Sequence, residues 1–228
     1  MPQSRQIERL SEVDIAISLL SPEDRPLAVS ILTKAFTSDP LMKYVLDDPN
    51  NGEAVERGVF AIMDYSLAIR DEFRWPVLGL WAGDELTGVA ALSLPREGKW
   101  PLVLTDQFER VRTIIGEKSA RRLAAYGEIA EAARPGQPHI YLGVLGVDPT
   151  AQGRGYGRRL LNAIQDYSET YAGSIGVFLD TENPRNVTLY EHCGFEKVAQ
   201  HTIGSLNIWC LLHHNVHSGS SANPTPSS

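Results

Sequence analysis

Cysteine is scarce in this sequence: Cys193 and Cys210 are the only two among 228 residues. They form neither a metal-ligand spacing nor a disulfide framework, which excludes zinc-stapled and disulfide-stapled scaffolds and makes a reducing compartment, the cytoplasm, the default. Positive charge is also short. Lys and Arg number 21 against 28 Asp and Glu, a formal net charge of −7. A protein that grips phosphodiester backbones needs a basic footprint, so no nucleic-acid partner is expected. Acidity fits a soluble enzyme and is compatible with cationic substrates. Long apolar runs are missing too, so no bilayer-spanning segment or membrane partner is expected. The first residues mix Arg5, Glu8, Arg9 and Glu12 with apolar side chains. They contain no apolar h-region, and no cleaved leader is expected. No internal repeat is visible.

The apolar content that is present, 43% of residues, suffices for one substantial core. Residues 1–12 are polar and read as a flexible start, 13–212 as one domain, and 213–228 as a disordered tail rich in Ser, His, Asn and Pro. The tail histidines are irregularly spaced and lack acidic partners, so no metal site is expected there or elsewhere. Within the domain the pattern alternates. Asp14 to Leu20 reads as a strand, and Ser21-Pro22-Glu23-Asp24 starts a helix carrying Val29, Leu32 and Phe36. Asp39-Pro40 breaks that helix and begins a short one. Residues 54–73 form an amphipathic helix. Val77 to Ala82 and Thr87 to Leu94 make a hairpin across Gly83-Asp84-Glu85. Residues 103–133 are helical, with a break at Gly116 or Gly127. Then follow a strand from His139 to Val147, a helix over 155–171, a strand from Gly176 to Leu179, a helix from Pro184 to Cys193 stopped by Gly194, and a strand pair over Phe195–Gln200 and Leu206–Leu212. This order predicts an α/β (α+β) fold: a mixed, mostly antiparallel central sheet with helices on its faces.

The stretch that carries chemistry runs Val147-Asp148-Pro149-Thr150-Ala151-Gln152-Gly153-Arg154-Gly155-Tyr156-Gly157-Arg158-Arg159-Leu160-Leu161. It passes from an apolar strand through a glycine loop into an amphipathic helix. The first amides of a helix have no intrahelical acceptor, and the helix dipole is positive there. Glycines let an anion approach the main chain, and Arg154 and Arg158 add positive charge. The expected ligand is a pyrophosphate. A P-loop needs Gly-Lys-Ser/Thr, which is absent. A dinucleotide fingerprint starting at Gly153 or at Gly155 would need glycine at position 158 or 160, where Arg158 and Leu160 stand. A glycine turn that merely joins strand to helix is the alternative for the loop taken alone.

Gln152-x-x-Gly155-x-Gly157 after a strand ending in Val147 resembles the acyl-CoA signature of the GNAT acetyltransferases. Downstream, Asn183-Pro184-Arg185-Asn186-Val187-Thr188-Leu189-Tyr190-Glu191-His192-Cys193-Gly194-Phe195 resembles the second block of that family. Ala35-Phe36 with Asp39-Pro40, the segment 103–133, Phe178-Leu179-Asp180 and Trp209-Cys210 are similar to the puromycin N-acetyltransferase-like branch. The resemblance implies a single acyl-CoA N-acyltransferase domain using acetyl-CoA as cosubstrate, a homodimer as the assembly, and direct attack of a small-molecule amine on the thioester. It assigns the backbone of Leu145, Gly146 and Val147 to the pantetheine arm. Gln152, Gly153, Arg154, Gly155, Tyr156, Gly157 and Arg158 go to the pyrophosphate, and Asn183 and Asn186 to pantetheine. Tyr190 matches the family's general acid. A buried aromatic at helical spacing is the structural alternative for Tyr190, and a helix cap for Asn183.

Histone-type members carry a Glu on the strand before the loop. Here Tyr141 stands at the matching place, with no carboxylate from His139 to Val147. Asp180 is therefore the favoured partner of the amine, with Glu182 as competitor. Phe36, Tyr44, Trp75, Trp81 and Trp100 are the aromatics available to an acceptor pocket. Acetylation of a protein or peptide, and an acyl-CoA sensor without catalysis, are the alternative functions.

Overall fold

The computed structural model describes residues 14–48, 50–96 and 98–216. Expectations for residues 1–12 and 217–228 fall outside them. The elements follow the order β1 (Ile15–Leu19), α1 (Arg25–Phe36), α2 (Pro40–Leu46), α3 (Gly52–Phe73), β2 (Val77–Ala82), β3 (Glu85–Ser93), α4 (Leu102–Ile115), α5 (Glu117–Ala132), β4 (Ile140–Val147), α6 (Tyr156–Thr170), β5 (Gly176–Thr181), α7 (Pro184–His192), β6 (Glu196–Ile203) and β7 (Leu206–His214). The strands form one seven-stranded sheet in the order β1-β2-β3-β4-β5-β7-β6. All pairs are antiparallel except β4 and β5, which the crossover helix α6 joins in parallel.

The two faces of the sheet bury separate apolar clusters. Helices α1 to α5 cover one face, with Leu32, Val59, Leu67 and Phe178 inside. Helices α6 and α7 cover the other, with Leu160, Leu161, Ile164, Val177 and Leu211 inside. Helix α6 places Leu160, Leu161 and Ile164 on the sheet side, each fully buried. Helix α1 can lie close over β4 because residue 146 is glycine. A Cβ there would stand 2.9 Å from Leu32 Cδ2 and 3.0 Å from the Ala35 methyl group.

Two local features decide where the sheet opens. β4 and β5 pair only at Ile140 with Val177 and Tyr141 with Phe178, and then part. On its other side, β4 keeps its pairing to β3 as far as Val147, with Ala91 opposite Val144 and Leu92 opposite Leu142. Gly143 is thus the extra residue of a β-bulge, and a bulge bends its strand. The space that a side chain at 143 would need is occupied by the guanidinium of Arg70 from α3.

The break after Trp100 falls at one of its two expected places, and two strand ends shift. The helical segment after Trp100 breaks at Gly116 (φ 80°), while Gly127 stays inside α5. β5 runs on to Thr181, so Asp180 lies within the sheet opposite Cys210. β7 runs to His214, past the expected boundary at 212. Asn215 is buried beyond it, donating to the carbonyls of Ser168 (2.8 Å) and Ser174 (3.1 Å). Residues 213–216 therefore belong to the domain rather than to the tail.

Candidate active site

Where β4 and β5 part, a cavity of about 690 Å³ opens. Leu142 to Val147, the loop and first turn of α6, and Asp180, Glu182, Tyr126 and Tyr190 all line it. The strand's own geometry sets which backbone groups face it. The Asp148 amide donates to Thr87 of β3 at 2.8 Å. Amides alternate in direction along a strand, so those of Leu145 and Val147 point the other way, into the cleft. The Val147 carbonyl on that side accepts from Gln152 Nε2 at 3.1 Å. Gln152 thereby braces the loop against the strand end.

The loop is held in a shape that glycine permits. Gly153 and Gly155 have φ of 79° and 80°. The amides from Gln152 to Arg158 find no acceptor among the described residues, and the first bonded amide is Arg159, donating to the Gly155 carbonyl. A row of unpaired amides at a helix start is an anion site. A diphosphate fits this donor set. A Cβ at Gly157 would stand 3.9 Å or more from Leu189 and Leu145, so the approach is open. Gly153, Gly155, Tyr156, Gly157 and Arg158 all line the cavity, as do Gln152, Leu145, Gly146, Val147, Asn183, Asn186, Tyr190 and Asp180. Arg154 is exposed and does not line it. Its position on the outer side of the loop turns its charge toward solvent rather than into the cleft.

Asn183 caps α7, its Oδ1 accepting from the Arg185 amide at 3.1 Å, while its side chain still borders the cavity. Tyr190, on the same helix, is buried 5.7 Å from Phe195, ring centre to ring centre. Burial first, and then the charges of Glu182 and Asp180, push its phenol well above the usual range. Tyr190 is thus a protonated phenol at neutral pH.

Asp180 is not a lone carboxylate. Its Oδ1 accepts from Tyr141 Oη at 2.8 Å, and its Oδ2 is hydrogen bonded by Tyr126 of α5. Tyr126 Oη also lies 2.6 Å from Glu182 Oε1. A phenol has one hydrogen and can donate to one of two carboxylates at a time. With Tyr126 and Tyr141 both donating to Asp180, the set is fully bonded when Glu182 holds a proton of its own. Burial, followed by the Asp180 charge, pushes the Glu182 carboxyl up to about 8. Burial also raises Asp180, against the lowering effect of the two phenols, and raises Asp39 beside α2. Three carboxyls of one cavity thus hold protons more tightly than free carboxyls do, Glu182 up to about 8.

Tyr126 and Asp39 were not singled out from the sequence as site residues. Asp39 reads locally as a helix cap, a role it also fills by accepting from the Leu41 amide at 2.9 Å. Tyr126 carries no local signal. Among the expected aromatics, only Phe36 reaches this cavity. Trp75 and Trp100 border a different one. Trp81 donates to Ser18 on the sheet edge, and Tyr44 lies under Arg122.

Among the described residues no His, Cys, Asp and Glu are grouped to hold a metal ion, and no helix is long and apolar enough to cross a membrane.

Known proteins share the fold. A solved structure from Corynebacterium glutamicum, described as histone acetyltransferase HPA2 and related acetyltransferase, superposes with a TM-score of 0.66 at 20% identity. It covers 93% of this chain and 99% of that one. The N-alpha-acetyltransferase RimI of Mycobacterium tuberculosis is 33% identical over 84 residues, 37% of this chain and 52% of RimI. The mycothiol acetyltransferase of Propionibacterium freudenreichii is 33% identical over 95 residues, 41% of this chain and 30% of that enzyme. The chain thus spans about half or less of the curated relatives it matches. Residues 56–195, from within α3 through the α6 loop and α7, match the acetyltransferase (GNAT) family, and the chain belongs to that family.

Proposed function

We propose that this protein transfers the acetyl group of acetyl-CoA to the primary amine of a small cationic molecule. One observation carries the reading: a single cleft is lined both by a helix start with unpaired amides and by a proton-sharing carboxylate cluster. The first suits a diphosphate and the second an ammonium group. Acetyl-CoA is the family's acyl donor. The relatives RimI and mycothiol acetyltransferase carry acetyl transfer in their names.

Amides of residues 152–158 hold the diphosphate, and the inward amides of Leu145 and Val147 hold the pantetheine arm like an added strand. Asn183 and Asn186 border the same arm. The ammonium of the acceptor is drawn to Asp39, Asp180 and Glu182. Glu182 is the titrating member of that cluster. A carboxyl group near 8 is better matched to removing a proton from an amine of pKa ~10 than one near 4. Asp180, fixed by two phenols, holds Tyr126 and supplies the negative field. The freed amine attacks the carbonyl carbon, a C–N bond forms, and the C–S bond breaks. One proton passes from Tyr190 to the departing sulfur. The protons lost by nitrogen leave through the carboxylate cluster to water, and Tyr190 is reprotonated from the same source.

The shared placement of Ala35, Phe36, Asp39 and Asp180 on one cavity supports the finer assignment to the puromycin N-acetyltransferase-like branch. The test is release of free CoA thiol with a panel of diamines, amino acids, amino-nucleosides and N-terminal peptides. Turnover of small cationic amines, with peptides inert, is expected. Turnover of peptides alone would make this a protein acetyltransferase. Tight acetyl-CoA binding with no turnover on any amine would make it a sensor.

A further inference from the structure

A second cavity, of about 1010 Å³, lies on the same sheet face between the end of α3, the loop after β3 and the end of α5. Its lining carries three cations, Arg70, Arg96 and Arg134, against one carboxylate, Glu131. Arg70 lines it and is only 5% exposed. Its Nε donates to the Leu92 carbonyl at 3.2 Å, and its Nη1 donates to the Ser66 carbonyl and Oγ at 3.0 Å. Its Nη2 packs against Gly143 of β4, and among the described residues it has no acceptor and no carboxylate pairs with the guanidinium. A buried guanidinium without a counter-charge costs several kcal/mol. Burial lowers this one to about 10, so it remains a cation at neutral pH.

Arg134, at the end of α5, lines the same cavity. It bonds Glu131 through Nη1 at 2.8 Å, while its Nε is buried with no partner. Arg96 stands across the cavity, over the rings of Phe73 (4.7 Å) and Trp100 (5.2 Å). Guanidinium groups from two elements, α3 and the end of α5, thus border one space that Trp75 and Trp100 also line.

We propose that this cavity is a binding site for a small organic anion, a carboxylate or phosphate carried on a flat ring. The acid group meets the guanidinium groups of Arg70 and Arg134, cations suited to carboxylate and phosphate oxygens. The ring lies against the tryptophans, under Arg96. One residue joins this site to the acetyl-transfer cleft. The Arg134 guanidinium sits 3.9 Å above the Tyr141 ring centre, and the hydroxyl of that ring donates to Asp180.

Calorimetry of the full chain with benzoate and with phenyl phosphate tests the site, and acetyl-CoA is titrated separately to show that the other cleft is intact. Saturable binding of either anion is expected. Arg134→Gln, whose side chain is 26% exposed and so tolerates change, should weaken it roughly tenfold or more while acetyl-CoA binding persists. No binding at about 10 mM in folded protein, or equal affinity in the variant, overturns the proposal. Crystals soaked with 4-iodobenzoate give a readout that needs no variant: the anomalous iodine signal must place the acid group on Arg70 and Arg134, and a signal elsewhere alone overturns it. Turnover separates two sources of the anion. Competition with the amine marks it as the acid end of the acceptor, and a change in kcat without competition marks a separate ligand. The anion site does not depend on the acetyl-transfer reading, because the two are titrated independently.

Discussion

Glu182→Gln is the most informative single change. The side chain keeps its size and its place beside Tyr126, and its amide NH2 can still donate to the Tyr126 oxygen, as the protonated carboxyl does. What it loses is the ability to ionise. In the folded protein, burial and Asp180 hold this carboxyl at about 8 against an ordinary value of 4.5. A raised carboxyl binds more protons folded than unfolded between those values, so stability is full below about 4.5 and falls as pH rises through about 8. Each unit is worth about 1.4 kcal/mol, which sets an upper bound of about 5 kcal/mol by pH 9. Water in the open cavity screens part of this, and about 2 kcal/mol is the expected loss. Urea denaturation of both proteins at pH 5, 7 and 9 measures it. The wild type should lose stability over that range by about 2 kcal/mol more than the variant, and the variant should be the more stable at pH 9. Parallel pH curves would refute the proton-sharing cluster. Activity should move with it: kcat/KM of the wild type should rise with pH through about 8 as Glu182 becomes free to accept a proton, and the variant should lose that limb.

Tyr190→Phe should bind acetyl-CoA as the wild type does and lower kcat by roughly a hundredfold or more, measured by thiol release; an unchanged kcat would remove the proposed acid. Gly155→Val places a β-branched residue at φ 80°, which costs about 1–2 kcal/mol of backbone strain and should weaken CoA binding roughly tenfold by calorimetry, with the core otherwise intact. Leu160→Ala removes a fully buried side chain from the face of α6 against the sheet and should cost about 2–5 kcal/mol in chemical denaturation. Its acetyl-CoA affinity, measured below the unfolding transition, should stay near that of the wild type.

The order of strands and helices and the shape of the glycine loop were legible in the sequence because both rest on short-range physics. Leu160, Leu161 and Ile164 repeat at helical spacing, so the buried face of α6 follows from the string alone. The loop is a backbone conformation followed by a helix start, and Gly153 and Gly155 encode the first within a few neighbouring positions. The cleft and its electrostatics needed the tertiary structure. Tyr126 meets Asp180 across 54 residues of chain, and no periodicity in α5 announces the meeting. Glu182 reads as an ordinary acid until burial beside Asp180 turns it into a proton store. Arg70 looks like a surface cation near the end of an amphipathic helix. Only the bulge at Gly143 gives its guanidinium room to stay buried against β4. Sequence determines conformations that neighbours along the chain enforce. Burial and the proximity of charges are properties of the packed whole, and the titration of Glu182 and the unpaired donors of Arg70 and Arg134 were decided there.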